Sequence, residues 1–154
     1  MVGPVGKRRH DLKPKKILLV DDEQDILDIQ SRVLIAAGYC VDTACDGLVA
    51  LRKLASEDYS LVVTNLRMPE LGGEGLYRQL CSSYPHLRRR VVFCTGDTAN
   101  QDTLRFLTAT GAPVLLKPFT IQALLATVSQ AVGTTVPRIV TAQPVRSEMI
   151  LATP

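Results

Sequence analysis

The sequence has no long apolar run. A membrane-crossing helix needs roughly 18–20 consecutive apolar residues, and no stretch of the 154 residues approaches that length. The first residues are basic and polar, so the apolar segment of a secretory signal is also missing. We therefore expect a cytoplasmic protein without a membrane segment. A chain of 154 residues is long enough for one domain with a sizeable core.

Residues that bind zinc are scarce and poorly spaced. The candidates are Cys40, Cys45, Cys81, Cys94, His10 and His86. No two cysteines form a C-x-x-C pair and no histidine lies near two of them, which argues against a zinc site. Cys40 and Cys94 fall within apolar, strand-like runs, so we expect both to be buried as small apolar side chains.

The net charge of +3 hides an uneven distribution. Residues 1–16 carry six basic side chains and one acid, which leaves 12 basic and 14 acidic side chains in the rest of the chain. A basic arm can bind nucleic acid, but this one lacks aromatic residues, which favours a solvated tail or a cloning remnant. We predict a flexible basic arm over 1–14, a folded domain over 15–132 and a mostly disordered tail over 133–154.

Strand-like and helix-like segments alternate through the predicted domain. A continuous apolar run predicts a buried strand over residues 17–20, and further strands are predicted over 39–43, 59–64, 91–94 and 113–116. Five such β-α units imply an α/β fold with a parallel sheet and helices on both faces. A closed (β/α)8 barrel needs eight units and is therefore excluded.

The segments between these strands have the three- and four-residue spacing of amphipathic helices. The predicted buried face of the first helix consists of Ile26, Ile29, Val33 and Ala37. Gly38 is predicted to end that helix. The side chains of Asp46 and Thr120 are predicted to cap the second and last helices.

Polar residues stand at the ends of four predicted strands. They are Asp21, Asp22, Asn65, Thr95 and Lys117. Since parallel strands end at the same edge of a sheet, the fold would bring these residues together. Each alone has an ordinary structural role in a helix cap, a turn or a loop, but their joint placement at four strand ends favours a functional site.

The chemistry of this set fits a magnesium-assisted phosphoryl site. The first β-α turn has no G-x-G-x-x-G, which disfavours dinucleotide binding. Magnesium binds one or two carboxylates, such as those of Asp21 and Asp22, and accepts phosphoryl oxygens. Thr95 can donate a hydrogen bond to a phosphoryl oxygen, and Lys117 can neutralise another. The missing member is a nucleophile, and Asn65 stands where it is needed.

These strand ends resemble those of a known family, the receiver domains of two-component response regulators. The resembling segments are 17–23 (ILLVDDE), 61–69 (LVVTNLRMP), 95–97 (TGD) and 117–119 (KPF). The resemblance implies a doubly wound, flavodoxin-like (βα)5 fold with sheet order 2-1-3-4-5. It also implies a signalling module rather than an enzyme, with a sensor histidine kinase or a histidine phosphotransfer protein as partner.

The resemblance further assigns roles to individual residues. Asn65 takes the position of the phosphoacceptor. The implied magnesium ligands are Asp21, Asp22, Asn65 and the backbone carbonyl of Arg67. Thr95 would be the switch hydroxyl, and Lys117 would contact the phosphoryl group and precede a cis Pro118.

Two positions depart from the family pattern. The family's phosphoacceptor is an aspartate, whose carboxylate attacks a phosphohistidine to give an acyl phosphate. The neutral amide of Asn65 is a very poor nucleophile, and the loss of one negative charge should weaken magnesium binding. Val114 stands where the family often has an aromatic ring that moves with the switch hydroxyl.

Several functions stay open at this stage. The first is a receiver that Asn65 makes silent, either as a natural pseudo-receiver or through a deliberate Asp→Asn substitution. The second is a protein-interaction module that works without phosphorylation. A magnesium-dependent aspartyl phosphatase is disfavoured, because Asp21 is not followed by a second Asp two residues later and Glu148 is the only acid after Lys117. A DNA-binding regulator is also disfavoured, because we expect no helix-turn-helix in the short tail after Val132.

The last third of the domain is poor in charge. Between Thr98 and Pro137 the only charged residues are Asp102, Arg105 and Lys117. Receivers that dimerise through charged pairs on their fourth and fifth helices need charges in this segment. We therefore hypothesise that a partner packs on a weakly polar surface, and an inert surface is the alternative.

Overall fold

A five-stranded parallel sheet forms the centre of the computed structural model, which describes residues 13–133. Its strands are β1 Lys16–Val20, β2 Cys40–Ala44, β3 Leu61–Asn65, β4 Val91–Thr95 and β5 Val114–Leu116. Their spatial order is β2-β1-β3-β4-β5, which confirms the predicted doubly wound fold. The predicted arm over 1–14 and tail over 133–154 lie outside the described residues, except for residues 13, 14 and 133.

Within residues 13–133, five α-helices alternate with the strands. They are α1 Gln24–Ala36, α2 Gly47–Ser56, α3 Gly73–Ser83, α4 Gln101–Thr110 and α5 Ile121–Val132. Both predicted N-caps are confirmed: Asp46 accepts a hydrogen bond from the Val49 amide, and Thr120 accepts one from the Ala123 amide, each at 2.9 Å. No helix in the described range has the length and apolar character to span a bilayer.

The central strands are buried on both faces, as continuous apolar runs require in a parallel sheet. On one face, Leu18, Val62 and Phe93 pack against side chains of α2, α3 and α4. On the other face, Leu19 and Val63 pack with side chains of α1 and α5. Each fully buried aliphatic or aromatic side chain contributes about 1.5–3 kcal/mol. Packing on both faces therefore holds the central strands, and the residues at their ends, in fixed positions.

The buried face of α1 differs from the predicted one. The buried residues are Ile26, Leu27, Gln30 and Leu34. Ile29 is 39% exposed and Ala37 lies on the surface, so the predicted face was wrong at these two positions. Apolar residues occupy two adjacent stripes of this helix. The buried stripe includes the polar residue Gln30, so the apolar spacing favoured the other stripe.

The two cysteines expected to be buried also behave differently. Cys94 lies in the central strand β4 and is buried, as predicted. Cys40 is exposed, so that expectation was wrong. It is the first residue of β2, and among the described residues β2 is an edge strand flanked by β1 alone.

The ends of the strands are held together at the edge where the candidate residues collect. Strand register places Asn65 opposite Cys94, one residue before the end of β4. Helix α3 begins close to this point, because a Cβ atom at Gly73 would lie only 2.6 Å from the backbone oxygen of Asn65. The glycine therefore allows the start of α3 to approach the end of β3.

Candidate functional site

The two aspartates that follow β1 have different surroundings. Asp21 is 2% exposed, whereas Asp22 lies on the surface. The Asp21 amide donates to the Ala44 carbonyl at 3.1 Å, and one Asp21 carboxylate oxygen accepts from the Glu23 amide at 2.9 Å. Backbone contacts on both sides thus fix the buried carboxylate at the start of the β1–α1 turn.

Lys117 is the charged partner of this buried carboxylate. Its Nζ atom lies 3.2 Å from Asp21 Oδ2. Its backbone amide donates to the Thr95 carbonyl at 2.9 Å, and the Lys117–Pro118 peptide is cis, the conformation that the resemblance implied. Burial raises the pKa of Asp21 above its ordinary value, and the Glu23 amide and Lys117 only partly offset this effect.

Asn65 is the last residue of β3 and joins Asp22 to the loop that follows the strand. Its Nδ2 donates to Asp22 Oδ1 at 3.3 Å and to the Arg67 backbone oxygen at 2.9 Å. Its own backbone oxygen accepts from the Thr64 hydroxyl at 3.0 Å. The half-buried amide therefore contacts two of the three other groups predicted as magnesium ligands.

Thr95 ends β4 and is 3% exposed. Its Oγ1 accepts a hydrogen bond from the Asp97 amide at 3.1 Å. Because that contact uses an oxygen lone pair, the hydroxyl proton remains able to donate to a group at the site.

Sequence reasoning assigned Arg67 only a backbone role and missed its side chain. Arg67 Nη2 lies 2.6 Å from Asp97 Oδ2 and 3.5 Å from Thr103 Oγ1. The other Asp97 oxygen accepts from the Ala99 and Asn100 amides, both at 3.2 Å. This ion pair links the loop after β3 to the loop before α4. The sequence signal for this contact was a charged arginine two residues beyond the end of β3, where its side chain can reach the neighbouring loop.

Cys94 lies beside the site but does not supply the missing nucleophile. It is the register partner of Asn65 and is fully enclosed in the core. Burial raises the pKa of its thiol to about 12. The thiol therefore stays protonated near neutral pH and is unreactive.

The predicted residues thus form two hydrogen-bonded groups, and Thr95 lies next to the first of them. Lys117 pairs with Asp21, and Asn65 bonds to Asp22 and to the Arg67 carbonyl. Thr95 joins the first group through the backbone contact with Lys117. The arrangement offers oxygen ligands to a hard cation and hydrogen-bond donors to an anion, but no carboxylate at the end of β3.

Comparison with known proteins identifies the family. The family model for the response regulator receiver domain matches residues 17–129. The chain belongs to this family. Its receiver domains are signalling modules of two-component systems, and they generally bind Mg²⁺ at the phosphorylation site.

Two curated relatives share about a third of the aligned residues. The chain is 32% identical over 115 residues to the probable transcriptional regulatory protein TcrX of Mycobacterium tuberculosis. It is 33% identical over 103 residues to the response regulator SaeR of Staphylococcus aureus. These alignments cover 75% and 67% of this chain but 48% and 44% of the relatives, so the chain spans about half the length of the curated relatives it matches.

Solved receiver structures superpose on most of the described fold. The chemotaxis protein CheY4 of Vibrio cholerae aligns with a TM-score of 0.70 and 28% identity over 77% of this chain and 99% of its own. The receiver domain of a signal transduction histidine kinase from Syntrophus aciditrophicus aligns with a TM-score of 0.71 and 25% identity, over 82% and 97% of the two chains.

Proposed function

We propose that this domain is a receiver whose acceptance of a phosphoryl group is abolished or strongly impaired by Asn65. The observation that carries the proposal is the place of this side chain. Asn65 ends the central strand β3, and its amide contacts Asp22 and the Arg67 carbonyl at the edge where Lys117 and Asp21 also meet.

The proposal follows from the chemistry of phosphoryl acceptance. A carboxylate oxygen attacks phosphorus, an acyl phosphate forms, and the bond from phosphorus to the histidine nitrogen breaks. The amide of Asn65 is neutral and its nitrogen lone pair is delocalised into the carbonyl. Neither of its polar atoms is therefore an effective nucleophile.

The remaining groups retain the chemistry of a magnesium site. The ligands would be Asp21, Asp22, the Arg67 carbonyl and, after rotation of the amide, Asn65 Oδ1. Bound Mg²⁺ would supply charge neutralisation for phosphoryl oxygens. Thr95 would donate to one of these oxygens, and Lys117 would balance another. Without a third carboxylate, we expect weaker cation binding than in a receiver with aspartate at position 65.

We infer that the domain signals by binding rather than by carrying phosphate. Its expected partner is a sensor histidine kinase or a histidine phosphotransfer protein. Those are the proteins that the receiver fold contacts in a phosphorelay. This inference holds whether the asparagine belongs to a natural pseudo-receiver or replaces an aspartate by design.

A weakly polar surface supports binding without ion pairs. The only charged residues of α4 are Asp102 and Arg105, which lie 3.6 Å apart and pair with each other. Leu104 on α4 and Leu116 on β5 are exposed, and α5 carries no charged residue. We therefore expect a complex with a partner that packs on α4, β5 and α5 to persist when salt is added, because salt weakens mainly ion pairs. Sedimentation of that complex at low and high salt tests this expectation.

Intact-mass analysis after treatment with acetyl phosphate and Mg²⁺ tests the proposed function. The unaltered chain should keep its mass, and Asn65→Asp should gain one phosphoryl group. Asn100→Asp is the matched control, because it makes the same change from amide to carboxylate at the N-cap of α4 rather than at the end of β3.

Two results would contradict the proposal. Phosphorylation of the unaltered chain at the rate of Asn65→Asp would show that Asn65 does not silence the site. A lack of phosphorylation in Asn65→Asp would show that the rest of the site is not competent.

A further inference from the structure

We propose that the side-chain amide of Asn65 stands in for the divalent cation and holds the acidic pocket in one conformation with or without Mg²⁺. This inference deepens the proposed function, because it concerns the same site. Nδ2 of Asn65 bridges Asp22 Oδ1, 3.3 Å away, and the Arg67 backbone oxygen, 2.9 Å away. These two oxygens are also ligands that a cation would need.

The orientation of the amide follows from its neighbours. A carboxylate oxygen and a backbone carbonyl oxygen can only accept hydrogen bonds, and the NH₂ group of asparagine has two hydrogens to donate. Turning the amide over would place Oδ1 against two other oxygens, which is electrostatically unfavourable. The partial positive charge of the NH₂ group therefore faces the two acceptors.

The rest of the pocket is neutralised by the protein itself. Lys117 Nζ lies 3.2 Å from Asp21 Oδ2, and the Glu23 amide donates to Asp21 Oδ1 at 2.9 Å. Within residues 13–133, no three acidic, histidine or cysteine side chains are grouped so that they could hold a metal ion. An aspartate at position 65 would add a third carboxylate, whereas Lys117 is the one lysine that pairs with this pocket within residues 13–133.

Cation binding competes directly with the amide contacts. To present its oxygen to a cation, the Asn65 amide must rotate by half a turn and give up both hydrogen bonds. The same rotation would turn the NH₂ group away from Asp22 and the Arg67 carbonyl. The amide therefore opposes cation binding beyond the simple loss of one negative charge.

Substitution by alanine separates the effect of the missing negative charge from the effect of the amide hydrogen bonds. Asn65→Ala has the same charge as the unaltered chain but no side-chain amide. The experiment compares thermal unfolding of the unaltered chain, Asn65→Ala, Asn65→Asp and Asn100→Asp, with and without MgCl₂ at matched ionic strength. The midpoint temperature of the unaltered chain and of Asn100→Asp should not respond to Mg²⁺. That of Asn65→Asp should rise most, since binding to the folded state stabilises it, and that of Asn65→Ala should rise by a smaller amount.

Equal Mg²⁺ responses of Asn65→Ala and the unaltered chain would overturn the inference, since charge alone would then explain weak binding. A second readout follows the unaltered chain and does not depend on the folding of Asn65→Ala. The side-chain NH₂ resonances of Asn65, assigned by their loss in Asn65→Asp, should stay in place when Mg²⁺ is added. Their displacement by Mg²⁺ would also overturn the inference, while the mass test of phosphoryl acceptance would stand unaffected.

Discussion

Two lysine–aspartate pairs occupy different parts of the sheet and have the same contact distance. Lys16 Nζ lies 3.2 Å from Asp42 near the start of β1, and Lys117 Nζ lies 3.2 Å from Asp21 at the candidate site. The side chains of the first pair are 30% and 34% exposed, whereas those of the second are 24% and 3% exposed. The main structural difference is the burial of one carboxylate.

This difference reverses the direction of the pKa shift. Desolvation acts on Asp42 too, but hydrogen bonds from Tyr59 and Lys16 outweigh it and lower the pKa of Asp42. At Asp21, burial dominates and raises the pKa, despite the Glu23 amide and Lys117. The exposed pair therefore stabilises the fold, while the buried carboxylate carries an energetic cost.

The molecule departs from maximal stability at the candidate site and not at the Lys16–Asp42 pair. A buried charge at the end of a strand, held by backbone contacts, is a common feature of functional sites. The Lys16–Asp42 pair is instead part of a structural network, in which the Tyr59 hydroxyl donates to Asp42 at 2.6 Å and Lys16 also pairs with Glu57 at 2.9 Å.

The largest expected effect is the loss of the Tyr59 hydroxyl. Tyr59 is buried, and its hydrogen bond reaches a charged group. Tyr59→Phe should destabilise the domain by about 1.5–3 kcal/mol, the range for hydrogen bonds to charged groups. Urea unfolding measures the change, with Tyr39→Phe as the control, since the Tyr39 hydroxyl forms no hydrogen bond within residues 13–133. Equal losses in the two variants would argue against the network.

Neutralising the two aspartates should change stability in opposite directions. Asp42→Asn should cost about 1 kcal/mol, the upper range for a partly exposed ion pair. Asp21→Asn should raise the midpoint temperature by a few degrees in the absence of divalent cations, since the amide still accepts from Glu23 and carries no charge to desolvate. Thermal unfolding of both variants checks the signs, and destabilisation by Asp21→Asn would remove the contrast between the two pairs.

The contribution of Asp42 should also depend on pH in a defined direction. Its pKa in the folded state lies below the ordinary value of 3.8. The stabilisation is therefore fully present above that pH and is lost as the pH falls through the folded-state pKa. The difference in midpoint temperature between the unaltered chain and Asp42→Asn should shrink under acidic conditions. A difference that stayed constant down to low pH would contradict this account.

The smallest expected effect concerns the Arg67–Asp97 ion pair. Its arginine side chain is 62% exposed, so Arg67→Ala should cost about 0.2–1 kcal/mol, as for other surface ion pairs. The cost should decrease at high salt, in contrast to the loss caused by Tyr59→Phe. Urea unfolding at two salt concentrations measures both variants. A larger cost for Arg67→Ala than for Tyr59→Phe would reverse the ranking.

The sequence predicted the order of elements because strands such as β1 and β4 are largely apolar runs and the helices have a regular apolar spacing. It also predicted which residues stand at the strand ends. It failed at the face of α1, where Gln30 is buried in place of the expected apolar residue Ile29. Helical periodicity cannot separate two adjacent apolar stripes when tertiary packing selects the stripe that contains a polar residue.

Side-chain pairing at the site lay beyond the reach of sequence patterns. Lys117 and Asp21 are 96 residues apart, and only the folded sheet brings their charges to 3.2 Å. The amide contacts of Asn65 and the Arg67–Asp97 pair depend likewise on loop geometry. A sequence specifies which groups reach this edge, but their partners follow from three-dimensional packing.

Amide NMR spectra recorded with Mg²⁺ and beryllium fluoride, a phosphoryl mimic that binds carboxylates, test the central claim most directly. The account predicts that Asn65→Asp shows shifts around Thr95 and Lys117, while the unaltered chain shows none. Equal shifts in the unaltered chain would contradict the claim that one side chain silences an otherwise complete receiver site.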